Sequence, residues 1–78
     1  MDTEYETPDL YLAAYLQASQ VELLRADRRG GGRVFFVFRR HDDMCELLTG
    51  WINNCGTVAA QPYAQAVRSL KTLVHQVQ

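Results

Sequence analysis

The stretch Arg28-Arg29-Gly30-Gly31-Gly32-Arg33-Val34-Phe35-Phe36-Val37-Phe38-Arg39-Arg40 decides the fold. Its valines and phenylalanines are residues that prefer a pleated backbone, and glycine bounds them, so residues 33–40 read as a strand. The glycines supply the positive φ that a tight turn requires. Val21, Leu23 and Leu24 then make residues 21–28 the partner strand of a β-hairpin with a cationic tip. A period of two places Val34, Phe36 and Phe38 on one face and Phe35 and Val37 on the other. A strand apolar on both faces needs cover on both, from its own helices or from a partner. Phe35 and Val37 are therefore candidates for self-association.

Outward from the hairpin the pattern turns helical. Thr7-Pro8-Asp9 reads as a helix start: Thr7 as cap, Pro8 at the first helical position, Asp9 at the positive end of the dipole. The helix over residues 10–18 has almost no polar side, which predicts burial on more than one face. Asp43 and Glu46 have capping-box spacing. Behind them Met44, Leu47, Leu48, Trp51 and Ile52 recur as one helical stripe. That helix should stop near Asn53-Asn54, with Gly56 as its C-terminal cap. Pro62 opens a last helix whose inward stripe is Tyr63, Ala66, Val67, Leu70, Val74 and Val77. The expected fold is α+β in the order α-β-β-α-α, a two-stranded antiparallel hairpin packed against three helices. Residues 1–6 are read as an acidic arm and 7–78 as a single domain.

The chain has 78 residues and a 47% hydrophobic fraction, enough to fold around one thin core. Marginal size makes docking or oligomerisation a reasonable expectation. The net charge of −1 hides an asymmetry. Residues 1–24 carry five acids and no base, while residues 25–40 carry six arginines and one Asp. A neutral protein with a local cationic stripe is not a general nucleic-acid binder. With two cysteines, no basic-then-apolar leader and no apolar run of ~20 residues, the expectation is a cytoplasmic protein with reduced thiols and no membrane contact.

The glycine triplet is not a phosphate loop, because no Gly-Lys-Ser/Thr leads into a helix. The arginines Arg28, Arg29, Arg33, Arg39 and Arg40 are the candidate contact surface, since guanidinium groups pair bidentately with phosphate or carboxylate. The competing reading is a solvated hairpin end that protects a strand edge. The acidic arm, Asp2, Glu4, Glu6 and Asp9, either folds back on the arginines, presents charge to a basic partner, or is a solvated terminus. His41, Cys45, Cys55 and His75 are zinc-ligand types without finger spacing, so no metal or cofactor is expected. No spacing places either His beside a nucleophile, so no catalytic residues are assigned.

Whole-chain pattern adds a resemblance. The segments Tyr11-Leu12-Ala13-Ala14-Tyr15-Leu16, residues 31–38, residues 47–51, and Pro62-Tyr63-Ala64-Gln65-Ala66 leading to Arg68-Ser69-Leu70-Lys71 resemble a family of small uncharacterised phage and bacterial domains. Cys45, Cys55 and the acidic arm depart from that pattern. The resemblance implies the same element order, no catalytic residues and a mobile-element origin. By analogy with small phage proteins, it points to an anti-CRISPR-like inhibitor that occupies a surface of a host protein or ribonucleoprotein complex. The alternatives are a small DNA- or RNA-binding protein using the arginine hairpin, with direct nucleic acid the less favoured partner, and a structural homodimer.

Overall fold

The computed structural model describes residues 3–77. The elements are β1 (Glu4–Thr7), α1 (Leu10–Ala18), β2 (Leu23–Arg28), β3 (Val34–Arg39), α2 (Met44–Ile52) and α3 (Ala60–Gln76). The order is therefore β-α-β-β-α-α. The sheet has three antiparallel strands in the order β1-β3-β2, so the expected two-stranded hairpin is corrected. Part of the acidic arm is the third strand, with Glu4 opposite Arg39, Tyr5 opposite Phe38, Glu6 opposite Val37 and Thr7 opposite Phe36. Asp2 lies outside the described residues. The physical reason is the alternation Glu4-Tyr5-Glu6-Thr7. Tyr5 packs against the core and Thr7 is buried, while Glu6 is exposed on the opposite face. Because β3 sits between β1 and β2, the chain from β1 through α1 to β2 is a split β-α-β unit.

The core lies between the sheet and its helices. Val34, Phe36 and Phe38 of β3 meet Leu12, Ala13, Ala14, Tyr15 and Leu16 of α1, with Val21, Met44, Ala66 and Leu70 closing it. Helix α1 is apolar nearly all round because α3 packs against it as well as the sheet. Its cap is Asp9 rather than Thr7: the Asp9 carboxylate accepts from the amides of Tyr11 at 2.9 Å and Leu12 at 3.2 Å. Thr7 Oγ1 instead accepts from the Asp9 amide, and Pro8 stays outside the helix. Helix α3 starts two residues before Pro62, which occupies a first-turn position where its missing N–H costs nothing. Val77, expected in the inward stripe of α3, is its C-terminal cap.

Helix α2 ends at Ile52 with Asn53 as its cap; Asn54 beyond it has a left-handed φ of 58°, and the amides of Cys55 and Gly56 both donate to the Gly50 carbonyl. Gly56 has a different role from the expected cap. A Cβ there would lie 2.6 Å from Tyr15 Oη and 2.8 Å from ring atoms, so the loop passes over Tyr15 only without a side chain.

The hairpin turn closes with the Gly32 amide donating to the Arg29 carbonyl at 2.9 Å and the Arg29 amide to the Arg33 carbonyl at 2.8 Å. Gly31 and Gly32 have φ of 82° and 78°, whereas Gly30 has no positive φ and no atom within reach of an added Cβ. Alanine at Gly31 or Gly32 should cost about 1–2 kcal/mol each. Alanine at Gly30 should be neutral or stabilise by up to about 1 kcal/mol, by restricting the unfolded chain. Thermal melts of the three single variants check this ordering.

Candidate functional site

The helix-free face of the sheet is built by register. Arg25 lies opposite Val37 and Asp27 opposite Phe35 on the β2 side of β3. Glu4 and Glu6 stand on the same face of β1. On this face β1 thus carries two acids, while the β2 side carries Arg25, Asp27 and, just past the strand, Arg29; an apolar central strand lies between them, and the side chains join across it. The Arg25 guanidinium donates to both carboxylate oxygens of Glu4, at 3.1 and 3.2 Å, and its Nε to Asp27 at 3.1 Å. Arg29 donates to both oxygens of Glu6, at 2.7 and 2.8 Å, and lies 4.5 Å above the Phe35 ring. Asp27 also faces Arg29 at 3.6 Å. Both bidentate pairs span β3. Val37, beneath this lattice, is fully buried although it belongs to the face without helices. Burial of a valine contributes about 1.5–3 kcal/mol, so the charged lid also serves as apolar cover.

The other hairpin arginines go elsewhere. Arg28 remains exposed, but its guanidinium is tied down. It donates to the Gly32 carbonyl at 2.7 Å and to the carbonyls of Val74 and Val77 at 3.1–3.2 Å. A cation at the C-terminal end of α3 meets both the orphan carbonyls and the negative end of the dipole. Arg39 pairs with Glu22 at 3.1 Å, and Arg40 sits 5.7 Å from the centroid of the Tyr5 ring. Arg33 is exposed and has no ion-pair partner among the described residues. Asp9 is the α1 cap. The structure therefore brings Arg29 together with Glu6 and adds Arg25, Glu22 and Asp27, which sequence reasoning did not single out. The signal for Arg25 and Asp27 was their spacing of two on a strand, which puts both on one face. Phe35 is half-buried under Arg29, so contact through Phe35 and Val37 would require the ion-pair lattice to open.

The hydrogen bonds from Arg29, followed by its charge and that of Arg25, hold the Glu6 carboxyl below its ordinary value of 4.5 against an opposing desolvation. Arg25 and Arg29 shift upward, each chiefly through its bonds to the facing glutamate. A carboxylate depressed in the folded state stabilises above its unfolded pKa, and that contribution is lost as pH falls through the folded value. Melting temperature should thus fall on acidification below about pH 4.5. Glu6→Gln should remove part of that acid limb, in melts taken from neutral pH down to about pH 2.

A second surface lies on the helical side. Tyr15 meets Trp51 of α2 in a tilted ring contact, with centroids 5.2 Å apart. Helices α1 and α3 pack together, and burial pushes the Tyr63 hydroxyl pKa up, with Tyr11 and Asp9 adding to the shift. Tyr11 is 52% exposed and Ile52 75% exposed, while Leu48 and Trp51 are half-buried. Cys45 and Cys55 are exposed free thiols lining one shallow hollow with Glu46, Thr49, Gly50 and Asn53. His41 accepts from the Asp43 amide at 3.1 Å, and His75 lies in the last turn of α3. Among the described residues, no three His, Cys, Asp or Glu side chains converge to hold a metal ion. No helix among them is long and apolar enough to cross a membrane.

A family model described as a domain of unknown function, DUF5659, matches residues 2–76. The chain belongs to the DUF5659 family. That description names neither a phage origin nor CRISPR inhibition. No curated protein and no solved structure matches the chain.

Proposed function

We propose that this DUF5659 domain is a non-catalytic binding module that occupies a protein surface. The observation that carries the reading is the apolar exposure at the end of α2. Ile52 stands in solvent beside the half-buried Trp51, in a domain too small to spare apolar surface. Tryptophan, tyrosine and arginine are the residues that most often dominate protein interfaces. The pairing of Arg25, Arg29 and Arg39 with Glu4, Glu6 and Glu22 argues against bare nucleic acid as the partner. A phosphate backbone would have to displace carboxylates already in place before gaining those contacts. The concrete version is an anti-CRISPR-like inhibitor of phage or mobile-element type, acting in the host cytoplasm on a nucleic-acid-handling complex. The resemblance to small phage and bacterial domains supports that version.

The test is affinity capture from a host lysate, with and without nuclease, comparing the native chain with Ile52→Glu. The expected result is a protein partner retained after nuclease treatment and lost with Ile52→Glu. Recovery of nucleic acid alone, or of no partner, would sink the reading. A partner captured equally by Ile52→Glu would move the contact away from α2.

A further inference from the structure

The sheet has two edges, and only one of them is complementary to itself. We propose that a second copy of this chain pairs antiparallel along the outer edge of β2, about a two-fold axis through Ala26, joining two three-stranded sheets into one of six strands. This goes beyond the binding reading above and does not depend on it.

The backbone sets the phase. The Arg29 amide donates to Arg33 across the hairpin, so Arg29 faces β3. Hydrogen-bonded and open pairs alternate along an antiparallel ladder. Asp27 and Arg25 therefore also direct their backbone groups at β3, and Arg28 and Ala26 direct theirs away from it. On the far side of β3, the Arg40 amide donates to the Thr3 carbonyl, which fits the same alternation. The bulge between Leu23 and Arg25 interrupts the start of β2, leaving Arg25 to Arg28 as its regularly paired stretch.

Charge then selects the register. With Ala26 opposite Ala26 of a second copy, the outward amide and carbonyl of each bond the other. Arg25 falls opposite Asp27 of the second copy, and Asp27 opposite its Arg25. Both pairs occupy open positions of the ladder, where side chains approach most closely, with Cα atoms ~4.5 Å apart. The four charges alternate in sign across the axis. The neighbouring in-phase registers instead set Arg25 against Arg25 or Asp27 against Asp27, which destabilises. The side chains are accessible for this, with Arg25 47% and Asp27 34% exposed; Arg25 spends three of its five N–H groups on Glu4 and Asp27 of its own chain, so the contact across the axis adds to those bonds through the remaining two and displaces none of them. Ala26 on the axis brings no bulk. The β1 edge behaves oppositely, because pairing about Tyr5 sets Glu4 against Glu6 of the second copy. One edge closes a dimer and the other repels extension into a filament.

Sedimentation equilibrium at concentrations up to ~1 mM tests this, since a short strand edge gives a weak interface. The expected mass rises from 8.9 kDa toward twice that value with concentration. Asp27→Arg alone and Arg25→Asp alone should each stay monomeric, because like charges then face each other. Mixed in equal amounts, the two should form a heterodimer. The first variant then carries two arginines along this edge and the second two aspartates, so each arginine meets an aspartate across the axis. Ala26→Pro is the second probe. It removes an amide that β3 does not use, so the monomer should keep its melting curve while the dimer is lost. A native chain that is monomeric throughout, a dimer that survives Ala26→Pro, or a mixture of two folded charge variants that stays monomeric would each overturn the proposal.

Discussion

A chain shortened to begin at Pro8 should lose its cooperative thermal transition. Strand β1 is only four residues long, but it pairs with four of the six residues of β3, Phe36 to Arg39. Without it the backbone groups of Phe36 and Phe38 that face β1 lose their partners. The side cover that Tyr5 and Thr7 give to Phe36 and Phe38 goes with it. Each lost ladder bond costs about 0.5–1.5 kcal/mol. The apolar surface newly opened around two fully buried phenylalanines adds to this. A domain of this length has only about 4–12 kcal/mol in total. Circular dichroism melts and amide dispersion in a heteronuclear spectrum give the readout. A sigmoidal melt within a few degrees of the full chain would show that β1 is not part of the cooperative unit. Glu4→Gln with Glu6→Gln is the control. It removes the charges but keeps the strand, and it should still fold, because these pairs are open to solvent and surface ion pairs stabilise little.

Phe38→Ala should be the most damaging single substitution of those considered. Phe38 has no exposed surface, lies between Tyr5 and Leu23 in the sheet, and belongs to the core with α1. Truncation of a buried phenylalanine costs about 3–5 kcal/mol, from lost transfer energy and the cavity left behind. For a domain of this size each kcal/mol moves the melting temperature by about 4–8 °C. The expected shift therefore exceeds about 12 °C. Phe35→Ala, on the opposite face and half-buried under Arg29, should cost clearly less. Equal losses at the two positions would contradict the assignment of Phe38 to the core face and Phe35 to the charged face.

The hairpin, its turn and the three helices were legible because each carries a local pattern. Glycines precede a run of valine and phenylalanine, α1 is apolar all round, and α2 and α3 repeat at helical spacing. Strand β1 was not legible as a strand. Two acids in four residues read as a solvated arm, and its pairing with β3 joins positions far apart in sequence. The alternation of Glu4, Tyr5, Glu6 and Thr7 was present, but too short to outweigh the charge. The arginine cluster was visible as composition. What those arginines do depends on the third strand, because Glu4 and Glu6 reach Arg25 and Arg29 only when β1 is in the sheet. Folding back on the arginines was one of the readings left open for the acidic arm, and the register decides it. The role of Gly56 was hidden for a similar reason, since Tyr15, which requires it, lies on a different helix.

The pairing of the acidic segment with the arginine-flanked strand is tested most directly by cross-strand contacts between α-protons in a nuclear Overhauser spectrum. Glu4 and Arg39, and Glu6 and Val37, occupy open positions of the ladder, where α-protons approach most closely. Both cross-peaks should be present at neutral pH. Random-coil shifts for residues 3–7, with neither cross-peak, would contradict the third strand and the self-neutralised face built on it.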